Sequence, residues 1–368
     1  SLNLNAKIYS LLLQLATRGN TKDTLIELWN NYCRLFPDDA PHPRVITSTI
    51  RAICERFEDS EAACTVMNDA QDKYGYSAHN SLLTMLCYRS LSRNDEKAAL
   101  SLINIVQPTI RLYTSALRCA AQTGNRELYN FAWPKLKEIS PTLADKLFSW
   151  KLFAIAKSLT ANEFIDVLCE SRSALQYVQH SHLVHIGPQL FDTTEQIDNA
   201  YYYCEHKGKQ ICIQALDLII VSCGLLNDPE RALETYQAIP RFELSPSTST
   251  YNAMMNVYYS NEDYQIVPSI FQEMKDAGCN PDEFSFECLA RSYLITEEVK
   301  LLLETIATAT ESGCTLPYPV YDEAVRYFVQ QGNSSASQFI IRHMKQLNLD
   351  TTAIQQFATN IPIKINWQ

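Results

Sequence analysis

Residues 248–282 spell one complete antiparallel helix pair, and this stretch constrains the fold more than any other in the chain. A first helix from Thr248 carries Tyr251, Met255 and Tyr258 on one side, and a second carries Ile270, Phe271 and Met274, so two apolar stripes face each other. Gly278 is placed to take the left-handed conformation that ends the second helix, and Asn280-Pro281 stops it from resuming. Pro268, inside the second helix, removes one backbone donor and predicts a late start or a bend there. A unit of 35 residues cannot bury its own apolar faces, so it must stack on copies of itself.

The copies abut on both sides. Ile213–Ser247 places Leu218, Ala232, Leu233, Tyr236 and Pro246 in register. Glu283–Pro317 places Phe286, Leu289, Tyr293 and Gly313, and Tyr318–Thr352 places Tyr321, Gly332 and Met344. Upstream the Asn252-equivalent position falls at Ser10, Thr47, Asn80, Thr114, Ser149 and His182, at spacings of 37, 33, 34, 35 and 33. Tyr9, His79 and Tyr113 then take the aromatic place before it, and Gly124 an interhelical turn. About ten repeats of 33–37 residues fill the chain: degenerate repeats over 1–212, four regular ones over 213–352, and a tail over 353–368. The segment Asp192–Gln210 fits poorly, as a distorted unit or an insertion, and a slight break is expected near Gly187-Pro188. With 9 Gly in 368 residues and hydrophobics at 46% recurring at helical spacing, the expected class is all-α, one continuous solenoid.

Tyr251, Asn252, Phe271, Met274, Gly278, Pro281 and Asp282 match, position for position, the pattern of the pentatricopeptide repeat family, which the chain resembles. The match is specific in the Thr248 unit, good in the unit before it and looser in the two after. The Trp-Leu-Gly-Tyr arrangement of the sister tetratricopeptide repeats is absent from all four. The resemblance implies a right-handed α-solenoid, a mitochondrial matrix location, and single-stranded RNA (mitochondrial mRNA or rRNA) as partner, one repeat facing one base. In the family, the residue at the Asn252 position and the last residue of the unit choose the base. Here those pairs are Asn252 with Asp282, which favours uracil, Asn80 with Thr109 and Thr114 with Ala144, which match only in part, and Asp217 with Ser247, which departs from the code. Glu287 with Pro317 and Asp322 with Thr352 depart from the code. A carboxamide offers a donor and an acceptor to a base edge, and a carboxylate acts through water or orients its neighbour. The same residues also read without RNA: Asn252 as a polar residue near a helix start, Asp282 as the N-cap of the next helix.

Charge weighs against nucleic acid over the regular block. Residues 213–352 hold 19 acidic and 8 basic side chains, net −11, in a chain of net −10 and pI near 5.3. Lys135, Lys137, Lys146, Lys151, Lys207 and Lys209 read mainly as ordinary solvated helix faces. The departures from the code and the acidity lean toward a ribonucleoprotein component, for instance of the mitochondrial ribosome, with basic ribosomal or other subunits as partners. The alternative is a protein-binding scaffold or assembly factor with no RNA affinity. Tyr202 and Tyr259 are candidates to stack on bases, whereas the other aromatics follow the interhelical seam.

Enzyme chemistry finds no foothold. His180, His182 and His185, with Cys204 and His206, do not share one helix face, and the carboxylate pairs Glu297-Glu298, Asp38-Asp39 and Asp322-Glu323 point apart. There is no Gly-rich phosphate loop and no deaminase signature. No catalytic residue, metal, cofactor or small-molecule substrate is expected. The apolar run Leu216–Leu226 is too short to cross a bilayer, so no membrane partner is expected. Twelve scattered Cys without a Cys-x-x-Cys pair point to a reducing compartment. Beginning at Ser1 and lacking an Arg- and Ser-rich leader, the chain is expected to be a trimmed form or a piece of a longer one.

Overall fold

The structure is a computed structural model that describes residues 5–19 and 21–360. Every regular element among them is helical, and the chain divides into two compact units, 1–158 and 159–368. No helix among the described residues is long and apolar enough to cross a membrane.

In the second unit, first helices open at Ile213, Thr248, Glu283 and Tyr318, each 35 residues after the last. The period is set at the caps. Ser247 accepts a hydrogen bond from Thr250 N, and Asp282 accepts one from Ser285 N at 2.9 Å, satisfying donors that a helix start leaves open. Tyr251, Met255, Tyr258, Phe271 and Met274 are all buried. The Phe271 ring lies 5.4 Å from Phe286 of the following unit, so the apolar seam passes from repeat to repeat. The second helix, Val267–Asp276, starts late: Pro268 occupies its first turn, where no backbone donor is needed. Gly278 ends it at φ +74, and Cys279 N bonds back to Met274 O at 3.0 Å.

The helix Ile213–Leu225 is buried without interruption from Ala215 to Gly224. It packs against His180–Leu190, Pro229–Ala238 and Thr248–Ser260, which accounts for a sequence apolar on all sides. Two glycines permit the approach. A Cβ on Gly187 would stand 2.9 Å from Ser222 Oγ, and one on Gly224 2.9 Å from Val257 Cγ2. Gly187-Pro188 therefore lies inside a continuous helix, as a close contact and not the expected break. Asp192–Gln210 is likewise mostly an ordinary helix, Thr194–Lys207, started by a Thr193–Gln196 capping box.

The first unit stacks helix pairs whose first members open at Ala6, Pro43, Asn80 and Ile110, at intervals of 37, 37 and 30 residues. The sequence register slips at the third. A π-helical turn, Ala52–Arg56, carries the second pair's opening helix past its normal end, and the chain recovers the period only at Ile110. Asn80 consequently opens its helix instead of lying five residues in; Thr84 holds the place that Asn252 holds. His79 is not a core aromatic but the cap, its Nδ1 accepting from Ser81 N at 3.2 Å. Gly124 ends its helix at φ +77, as the turn assignment requires. At the C-terminus Thr352–Asn360 is helical where a tail was expected, and 361–368 lie outside the described residues.

Candidate nucleic-acid interface

The residues expected to read bases are, in the regular block, bonded to one another. Asn252 is 0% exposed; its Nδ2 donates to both carboxylate oxygens of Asp282, at 3.0 Å each, and its Oδ1 accepts from Ser285 Oγ at 2.6 Å. One repeat earlier Asp217, also 0% exposed, accepts from Thr250 Oγ1 at 2.6 Å. Thr250 and Ser285 are 35 residues apart, so the same rung is made twice: the side chain at the fifth helical position binds a hydroxyl of the next repeat. Ser247 is half-buried, its hydroxyl 3.1 Å from Thr250 Oγ1. Both functional groups of Asn252 are thus occupied in holding repeat to repeat, and no free edge faces a base.

The rung is asymmetric in charge. Burial pushes the Asp217 carboxyl up to about 7, opposed in part by the Thr250 hydroxyl, and its Oδ2 has no partner. The same region is covered by the chain's own helix His180–Leu190, which packs against Ile213–Leu225 and Thr248–Ser260. The His180 ring lies 4.5 Å from Phe284, with both ring nitrogens unpartnered, and burial lowers its pKa to about 4, against the pull of the Asp282 charge. His182 turns elsewhere, its Nδ1 accepting from Gln179 N at 3.0 Å. Among the described residues no group of three or more His, Cys, Asp or Glu is placed to hold a metal. Farther along, Glu287 binds Arg291, which reaches Glu323 at 2.8 Å, and Asp322 binds Arg326 at 2.7 Å. Tyr259 packs edgewise on Tyr264 at 5.2 Å, whereas Tyr202 is 64% exposed.

The first unit is built differently. Residues 1–158 carry 19 Lys and Arg against 15 Asp and Glu, net +4, while 159–368 carry 12 against 26, net −14. The helices Ala6–Ala16, Pro43–Arg51, Asn80–Ser92 and Ile110–Thr123 contain no acidic residue at all. On each, the second, fifth, sixth and ninth residues share one solvent-facing stripe, because steps of three and four bring side chains to the same side. The stripes read Lys7-Ser10-Leu11-Gln14, Arg44-Thr47-Ser48-Arg51, Ser81-Thr84-Met85-Tyr88 and Arg111-Thr114-Ser115-Arg118. Two of the four are the same pattern, Arg-x-x-Thr-Ser-x-x-Arg, 67 residues apart.

Neighbouring stripes meet. The Arg111 guanidinium sits 5.1 Å from the Tyr88 ring, and Tyr88 OH is 3.1 Å from Thr109 Oγ1. Thr109 itself caps Leu112 N, and half-buried Thr114 donates to Arg111 O at 3.0 Å between the two arginines. Thr47 Oγ1 lies 2.8 Å from Tyr76 OH. An open groove of about 970 Å³ runs between the first two stripes, lined by Lys7, Ser10, Gln14, His42, Arg44 and Tyr76. Cations two turns apart, hydroxyls between them and an aromatic plate beside them suit a phosphate chain with stacked bases. The arginine motif stands in the sequence as a repeated octapeptide pattern, around the position expected to read a base instead of at it alone. By contrast Lys135 is taken by Glu138 at 3.0 Å, Lys207 and Lys209 by Asp166 and Glu243, and Lys151 lies over Trp133 and Phe148.

Comparison with known proteins agrees with the repeat unit. The profile of the PPR repeat family matches residues 246–294. A mitochondrial pentatricopeptide repeat-containing protein of Arabidopsis thaliana is 25% identical over 124 residues, 32% of this chain and 20% of the relative. The chain thus aligns with about a fifth of the length of that curated relative. Among solved structures, a maize pentatricopeptide repeat protein in complex with an 18-nt RNA element shows 14% identity and a TM-score of 0.44, over 96% of this chain and 57% of that one. The PPR domain of an Arabidopsis thaliana protein-only RNase P in complex with tRNA shows 12% identity and a TM-score of 0.40, over 49% and 93%. With its capped helix starts, its Tyr-Asn in the first helix and its Gly and Pro-Asp ending, the stretch 246–294 is the part of the chain that matches the pentatricopeptide repeat family.

Proposed function

We propose that this protein holds single-stranded RNA along the stripe face of its first unit, by phosphate contacts and stacking, as a component of a mitochondrial ribonucleoprotein. The observation that carries the reading is the pair of Arg-x-x-Thr-Ser-x-x-Arg helices on acid-free first helices, with Tyr88 between them. The family match over 246–294 and the mitochondrial relative support an organellar, mitochondrial setting for this reading. Base choice by Asn252 is not part of this reading, because its amide is buried and bonded to Asp282 and Ser285. The second unit, net −14, repels a phosphate chain and is suited to a basic protein subunit, such as a ribosomal protein.

Fluorescence anisotropy with uridine-containing and mixed-sequence single strands, over a range of salt, tests this. Five stripe cations (Lys7, Arg44, Arg51, Arg111 and Arg118) set a limiting slope of log affinity against log salt of roughly −3.5, at about −0.7 per phosphate contact. Replacing the four arginines by alanine is expected to flatten the slope by about 2.8 and weaken binding to every sequence alike. Binding that ignores salt, or a quadruple variant that binds like the parent, overturns the assignment. No RNA binding together with retention of a basic partner protein supports the scaffold alternative instead.

A further inference from the structure

Cys169 lies near the end of the helix Ala161–Glu170, and Cys212 is the cap residue of Ile213–Leu225. Their Sγ atoms are 3.8 Å apart, in hydrogen-bond contact, although 43 residues separate them in sequence. Cys169 is half-exposed and Cys212 is buried. Beside them Lys207 is ion-paired with Asp166, whose two oxygens each accept from Tyr203 OH at 2.8 Å, so the ammonium is held at a fixed place near the sulfurs. The pair therefore has the features of a reactive dithiol: one half-buried thiol, a second buried thiol in contact with it, and a Lys207–Asp166 ion pair alongside.

We propose that Cys169 and Cys212 form a peroxide-responsive dithiol that closes to an intramolecular disulfide. Cys169 is the attacking sulfur. The contact with Cys212 lowers the Cys169 pKa to about 7, helped by the Lys207 charge and opposed by burial and the Asp166 carboxylate, whereas the same contact and burial push Cys212 up. The Cys169 thiolate attacks one oxygen of hydrogen peroxide, the O–O bond breaks, and the departing hydroxide takes a proton to become water, leaving a sulfenic acid. Cys212 then gives up its proton and attacks the Cys169 sulfur, and the sulfenic oxygen leaves as a second water. Two thiols lose two electrons in all, and one peroxide is reduced to two waters. The sulfurs must close from 3.8 Å to about 2.05 Å.

Six of the other thiols are set apart by burial, and half-buried Cys279 donates to Pro246 O at 3.8 Å. Burial pushes Cys64 and Cys119 up to about 11 and Cys87, Cys204, Cys223 and Cys288 up to about 12, so they remain protonated and shielded. The closed bond would tie Ala161–Glu170 to the start of Ile213–Leu225 and fix the intervening chain, including His180–Leu190, over the Asp217 and Asn252 rungs. The proposal is independent of RNA binding and is read on the protein alone.

The test treats the intact native chain with a few equivalents of hydrogen peroxide, blocks free thiols and maps the peptides. The expected product is one cross-linked pair, Cys169 with Cys212, two hydrogens lighter, reversed by a thiol reductant, with a raised thermal midpoint in the oxidised form. In Cys212→Ser the cross-link is lost and dimedone traps a sulfenic acid on Cys169. A cross-link that fails to form while Cys169 alkylates freely, oxidation that begins at another cysteine, or no trapped sulfenic acid in Cys212→Ser each overturns the proposal.

Discussion

Asn252 and Asp217 stand at equivalent places in consecutive repeats, and each accepts a hydrogen bond from a hydroxyl of the next unit. Asn252 is neutral and fully used, so Asn252→Ala strips partners from Asp282 and Ser285. Urea unfolding is expected to show a loss of about 1–3 kcal/mol, with RNA affinity unchanged. Asp217 is an acid in the same site, with a folded pKa of about 7 against an ordinary 3.8. The folded chain therefore keeps a proton that the unfolded chain releases between those values, so this group's stabilisation is full below about pH 4 and is lost as pH rises through 7. Asp217→Asn is expected to flatten the fall in thermal midpoint between pH 5 and pH 8; an equally steep fall in the variant would refute the assignment. His180 works in the opposite sense: burial holds its pKa near 4, so its contribution is lost as pH falls through the range from 6.5 to 4.

Between helices, geometry outweighs residue type. Gly187 faces Ser222 and Leu225, and Gly224 faces Val257, at distances where a Cβ forces a shift. Gly187→Ala and Gly224→Ala each remove helix-disfavouring glycine, yet each is expected to cost about 1–3 kcal/mol by overpacking, measured as a lower denaturant midpoint. In the sequence, Gly187-Pro188 reads as a slight break in the solenoid. The neighbouring helix reversed that reading. The opposite case is Asn80, whose identity matched the code but whose place did not, since a π-helical turn upstream moved the period. The Asp282 cap was legible because it acts through a residue three positions away, whereas Ser247, read as a base-choosing position, is a cap as well.

For the whole molecule, the deciding quantity is where the charge lies. The two units differ in net charge by 18, from +4 to −14, and the acid-free stripes belong to the positive one. Ultraviolet crosslinking of the full chain to single-stranded RNA, read by mass spectrometry, is expected to label residues 1–158, with Tyr88 and its neighbours foremost. Labels concentrated on 213–352 would overturn the stripe assignment. The four regular repeats, their all-helical class and their 35-residue period were determined by the sequence itself, since apolar spacing, caps and terminating glycines act over a few residues. Whether Asn252 meets a base or Asp282 was decided only in the folded chain. A side chain's free valence depends on which distant residues arrive beside it, here Ser285 from the next repeat and the His180–Leu190 helix from an earlier one, and no local pattern carries that information.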